Sequence, residues 1–227
     1  MSKVLKLLRK NSYVMYLAII LISFDSVAPS DRLIEAIRDR DQNKISILLK
    51  NGDNVNYEDR NGNTPLTSTD DPKVLQMLLR NGANVNLKNK EGISALAQAT
   101  IDKDFELIKF LIENSAEVDI RDKNGNTPLM LGSSEASKEI LEFLIKSGAK
   151  INAKNNEEKS PIFFASRSCR INIIKFYIDI GANINDKDKQ GKNLQDEILK
   201  HGNGEISTNG RLLCIKEFEK MGLKRTN

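Results

Sequence analysis

Few side chains in this sequence could perform acid–base, nucleophilic or metal chemistry. Its 227 residues include one histidine, His201, and two cysteines, Cys169 and Cys214. A single imidazole cannot complete a Ser-His-Asp or Cys-His set unless distant residues converge on it, and His201 reads as an exposed residue near a helix end. There is no C-x-x-C pair and no Cys/His cluster of the kind that holds zinc. Asp186, Asp188, Gln190, Gly191 and Glu197 do fall on positions 1, 3, 5, 6 and 12 of an EF-hand-like calcium loop. They follow GANIN rather than a helix, and Gly191 keeps step with Gly62, Gly92 and Gly125, so the segment reads as a turn tip and no metal is expected. The cysteines read as two small buried hydrophobes, because a disulfide needs facing Cβ vectors that spacing does not supply. A bridge between Cys169, at a helix–helix turn, and Cys214, in the following unit, is the alternative. Neither a catalytic residue nor a cofactor is expected.

The elements that carry these residues repeat. DNVNYEDRNGNTPL from Asp53, ANVNLKNKEGISAL from Ala83, AEVDIRDKNGNTPL from Ala116, AKINAKNNEEKSPI from Ala149 and ANINDKDKQGKNLQ from Ala182 align. Their Val/Ile-Asn/Asp pairs begin at Val55, Val85, Val118, Ile151 and Ile184, spaced 30, 33, 33 and 33 residues apart. Thr64-Pro65 and Thr127-Pro128 join an N-cap hydroxyl to Pro at the first helical position, where a missing N–H costs nothing. A second helix follows in each unit: KVLQMLL from Lys73, ELIKFLI from Glu106, EILEFLI from Glu139 and NIIKFYI from Asn172. Each ends at Gly or Ser, where a left-handed residue is wanted. Asn61-Gly62 and Asn124-Gly125 mark tight turns at hairpin tips.

GNTPL at Gly62–Leu66 and Gly125–Leu129, with NGANVN at Asn81–Asn86, resembles the ankyrin repeat family over about residues 31–223. The resemblance implies an all-α repeat solenoid, a stack of helix-turn-helix units with β-hairpin fingers. One unit cannot bury its apolar side, and stacking supplies the missing cover. The expected division is an N-terminal cap at 31–60, four central repeats at about 61–190 and a C-terminal capping unit at 191–223, its helices near 193–201 and 211–221. Three departures from the family pattern stand out. Thr67, Ala97, Met130 and Phe163 replace the TPLH histidine, which predicts lost hydrogen bonds and lower local stability. The first central repeat is three residues short between Thr64 and Pro72, which predicts a trimmed first helix. Glu157-Glu158 stands where Asn-Gly serves elsewhere, which predicts a different turn.

Residues 1–30 differ from the rest. Lys3, Lys6, Arg9 and Lys10 precede an apolar run from Tyr13 to Ile22, too short to span a bilayer and typical of a signal peptide, with an uncleaved anchor as the alternative. This predicts export, periplasmic or secreted. The segment also explains the net charge: subtracting its four basic and one acidic residues from 35 and 31 leaves 31 and 30. A near-neutral repeat region with mixed charges at its fingers is not a phosphate-binding surface, so nucleic acid is not expected.

Met77, Phe110, Phe143 and Phe176 recur at one helix position and read as core. In this fold, ligands meet finger tips and the exposed side of the first helices, so the resemblance points to Tyr57, Glu58, Arg60, Lys88, Lys90, Glu91, Ile93, Ile120, Arg121, Lys123, Lys154, Lys187 and Lys189. Exposed Tyr57, Ile93 and Ile120 would supply apolar contact and the charges specificity. The function read from the sequence is a non-enzymatic, monomeric protein-binding module without a small-molecule substrate. The alternatives are a regulatory or protective subunit of an exported enzyme, or a secreted effector acting on host proteins.

Overall fold

The computed structural model describes residues 31–200 and 208–222; the signal-like segment and His201 lie outside them. The described residues form eleven α-helices and one 3-10 turn, arranged as successive pairs. The pairs are α1 (Arg32–Arg38) with α2 (Gln42–Lys50), the 3-10 turn Leu66–Ser68 with α3 (Pro72–Arg80), and α4 (Ala95–Asp102) with α5 (Phe105–Glu113). They continue as α6 (Pro128–Ser133) with α7 (Lys138–Lys146), α8 (Pro161–Arg167) with α9 (Ile171–Asp179), and α10 (Leu194–Lys200) with α11 (Thr208–Lys220). The first helix of each pair packs on the first helix of the next through α4, α6, α8 and α10. This is an all-α repeat solenoid. None of the described helices is long and apolar enough to cross a membrane.

Local chemistry sets the ends of these helices. Asp41, Asp71, Ser94, Asp104, Thr127 and Ser137 each accept a backbone N–H of the first turn on a side-chain oxygen. The outer helices α3, α5, α7 and α9 stop where the chain turns left-handed at Gly82, Ser115, Gly148 and Gly181, with φ of +85°, +69°, +106° and +92°. Between these stops the apolar faces stack. Leu78, Leu111, Leu144 and Tyr177, one per repeat, are each 0% exposed, and Leu66, Leu96, Leu129 and Ile162 form a second buried column. Each such side chain contributes roughly 1.5–3 kcal/mol by leaving water. Met77, Phe110, Phe143 and Phe176 are half-buried and pack against this core.

The short repeat keeps only the 3-10 turn in place of its first helix. Hydroxyls close that turn: Thr67 Oγ1 accepts the Thr64 N–H at 2.8 Å, Thr64 Oγ1 accepts the Thr67 N–H at 3.2 Å, and Ser68 Oγ donates to the Thr64 carbonyl at 2.8 Å. Loss of hydrogen bonding at the replaced histidine positions is therefore not uniform. Thr67 restores it, and Met130 Sδ takes the Thr127 N–H at 3.4 Å. At Phe163 nothing does, and the buried Ser160 hydroxyl has no hydrogen-bond partner among the described residues.

Two expectations need correcting. Cys169 and Cys214 are not free hydrophobes. They form a disulfide across 45 residues with their Cα atoms 5.9 Å apart, tying the α8–α9 turn to α11. The fingers are not regular hairpins either: the described residues contain one isolated antiparallel bridge, Lys88 with Ser94, and otherwise tight turns.

Candidate partner-binding surface

Each finger is built on one Asn or Asp side chain. Asp59 Oδ1 accepts the N–H groups of Asn61 and Asn63, both at 2.8 Å. Asn89, Asp122, Asn155 and Asp188 repeat the arrangement toward the residues two and four positions on, at 2.8–3.0 Å. The residue after the tip is left-handed in every finger. At Gly92 and Gly125 glycine is also required by space, since a Cβ would come within 2.6 Å of the Lys123 nitrogen or 2.5 Å of Asn156 Oδ1. The fourth finger makes the same turn as the others with Glu158 at φ +62°, so the different turn expected there is not found. Asp188, which the calcium-loop spacing singled out, spends Oδ1 on its own turn.

Fingers are also tied to one another. The N–H of Lys123 donates to the Glu91 carbonyl at 3.4 Å, that of Asn156 to Asn124 at 3.0 Å and that of Lys189 to Glu157 at 2.9 Å. Side chains add a parallel ladder: Lys88 Nζ donates to the Arg121 carbonyl at 3.1 Å, Arg121 Nη1 to the Lys154 carbonyl at 2.6 Å, and Lys154 Nζ pairs with the Asp186 carboxylate. Lys88, Arg121 and Lys154, expected as partner contacts, thus spend these groups joining neighbouring fingers. Ile120, expected to be exposed, is buried at 7%. It directly precedes Arg121, and its side chain turns inward while the guanidinium bridges fingers. Glu58, Arg60, Lys90, Glu91, Lys123, Lys187 and Lys189 are exposed, and Tyr57 and Ile93 are half-buried.

The residues that close the surface were not singled out by sequence. A pocket of about 270 Å³ lies between the third and fourth fingers and the inner helices α8 and α10. Its apolar wall is Phe163 and Phe164, Arg167 stands exposed at its edge, and Lys159 and Glu197 line it. Lys159 Nζ lies 3.1 Å from Glu197 Oε2, with side-chain exposures of 8% and 4%, and equally 3.1 Å from the more exposed Glu157. Burial works against the Lys159 charge, but the hydrogen bonds and charges of Glu197 and Glu157 outweigh it and hold the ammonium above the ordinary lysine value. The signal for this site was register. Lys159 occupies the finger position that is Asn63 and Asn126 elsewhere, and Phe164 falls 33 residues after half-buried Leu131.

A surface of this kind can hold a folded or extended polypeptide. Half-buried apolar side chains on the inner helices supply area, exposed finger charges supply orientation, and the pocket is smaller than the roughly 300–1,000 Å³ of sites that enclose a small molecule. Residues 67–155 match the family model for ankyrin repeats in three copies. No curated protein matches the chain. The same helix-pair unit continues on both sides of the matched segment, through α1 and α2 before it and α8 to α11 after it. Residues 67–155 are thus ankyrin repeats, the 33-residue register and stacked helix pairs carry the same unit beyond them, and such repeats indicate a protein–protein interaction module.

Proposed function

We propose that this protein is an exported, non-enzymatic binding module that grips a partner protein between its finger tips and its inner helices. The observation that carries the reading is the pocket walled by Phe163, Phe164 and Arg167 beside the third and fourth fingers. The guanidinium of Arg167 takes a carboxylate of the partner while an apolar side chain rests on Phe164. Lys90, Lys123 and Lys189, exposed at the second, third and fifth fingers, steer an acidic surface into place.

Export is supported by the charged-then-apolar start of the chain and by the Cys169–Cys214 bridge, since disulfides persist in oxidising compartments. The partner test is affinity capture with the full chain from its native compartment, against Phe164→Ala/Arg167→Glu and Lys90→Glu/Lys123→Glu. Both variants should lose a partner that the wild type retains, the first more completely. Unchanged recovery with both removes this surface from consideration. Mass spectrometry of the native protein should find its N-terminus near Asp31; an intact Met1 would overturn the cleaved signal.

A further inference from the structure

The three residues missing from the first central repeat remove more than helix length. In the later repeats a helix of six to eight residues packs on the neighbouring inner helix, but here the chain leaves the 3-10 turn at Thr69 and passes directly to α3. The exposed end of α4 then borders a slot of about 280 Å³, at the end of the inner helices remote from the fingers. Leu66, Leu75, Ala95 and Ala99 form its apolar walls, and Asp70 and Asp102 stand among its lining residues.

The two carboxylates are available. Asp102 is held by a neutral group, Gln98 Nε2, at 3.0 Å to each oxygen, and no cation pairs with it among the described residues. Asp70 meets Arg40 at 3.5 Å, but both side chains are more than 70% exposed, so this pair is weak and replaceable. An apolar slot with a negative rim suits a long aliphatic stem that ends in a cation. Such a side chain buries its methylenes and keeps its charge at the mouth, whereas an anion is repelled and an uncharged group gains nothing from the carboxylates. The volume is adequate for one side chain.

We propose that this slot receives a lysine or arginine side chain of a partner protein, its stem against Leu66, Leu75, Ala95 and Ala99 and its cation between Asp70 and Asp102. The site is separate from the finger surface, so the two are tested independently. Methyl-labelled full-length protein is titrated with n-butylguanidinium and n-butylammonium, with butyrate and 1-butanol as controls. The cations should give saturable shifts of the Leu66, Leu75, Ala95 and Ala99 methyls, weakened at least tenfold in Asp70→Asn/Asp102→Asn. These substitutions replace surface carboxylates, and an unchanged methyl spectrum without ligand verifies the fold. Absence of saturation, equal binding of 1-butanol, or an unchanged affinity in the double variant overturns the assignment. Ultracentrifugation supplies the other arm: a dimer that dissociates in the double variant assigns the slot to a second copy of this chain and overturns a heterologous partner.

Discussion

The second unit and the last unit both depart from the 33-residue rule, and they make good the departure by different means. The second unit lost residues in the interior of the stack, where neighbours flank it on both sides. Hydroxyl hydrogen bonds within five residues, Thr64 to Ser68, are enough to close its turn, and a slot remains beside it. The last unit docks its inner helix α10 on α8. It is fastened by ties that do not repeat elsewhere in the described residues: the Cys169–Cys214 disulfide and the buried Lys159–Glu197 pair. The pair holds α10 and the disulfide holds α11, which is a weak element by itself. It includes Gly210, and Leu213 is largely exposed beside buried Cys214. One departure is closed by hydrogen bonds a few residues apart, the other by links that reach across 38 and 45 residues.

The sharpest way to break this contrast is to cut the disulfide. Closing a loop of 45 residues constrains the unfolded chain by about 4 kcal/mol. Cys169→Ser/Cys214→Ser should lose most of that, with hydrogen exchange accelerated first in α11 and least in α6 and α7. Uniform acceleration along the chain would show that the tie is not local. Next comes Glu197→Gln, which leaves the Lys159 ammonium buried with only the more exposed Glu157. A loss of about 2 kcal/mol is expected, below the roughly 3–5 kcal/mol typical of a fully broken buried pair, and denaturant unfolding measures it. At the other defect, Thr67→Val removes a single hydroxyl and should cost about 1 kcal/mol, read as faster exchange near Thr64 to Ser68 with α11 unaffected.

The smallest effect concerns pH at the N-terminal side. Burial alone would raise the Asp59 carboxyl, but hydrogen bonds from Asn63, Arg38 and Asn61 outweigh it and hold it below its ordinary value of 3.8. The unfolded chain therefore binds this proton more readily. The stabilisation is complete above that ordinary value and disappears as pH falls through it toward the folded value. Comparing the thermal midpoint at pH 5 and pH 3, Asp59→Asn should show a shallower drop than the wild type. An equal drop would move the acid sensitivity to other carboxylates.

Much of the architecture was legible in the sequence because it depends on short spacings. The N-cap at Thr127, the left-handed ends at Gly82 and Ser115 and the trimmed helix after Thr64 all follow from residues a few positions apart. What was missed depends on atoms brought together across units. Arg121 looked like a free surface cation because its acceptor, the Lys154 carbonyl, is 33 residues away. Lys159 and Glu197 lie 38 residues apart and meet only when α10 docks. The cysteines carry no spacing signal, and only the stacked geometry turns their side chains toward each other. Glu158 shows the converse error. Reading a non-glycine as a changed turn gave too little weight to the two N–H groups that Asn155 holds in the ordinary arrangement.

The backbone bonds between fingers run in one direction. The third, fourth and fifth fingers each take a carbonyl from the finger before with an N–H, always between residues 32 positions apart: Lys123 from Glu91, Asn156 from Asn124 and Lys189 from Glu157. A duplication or deletion of one whole 33-residue cassette therefore restores every such bond at the new junction. The gene can lengthen or shorten its binding surface in whole units without redesigning these contacts.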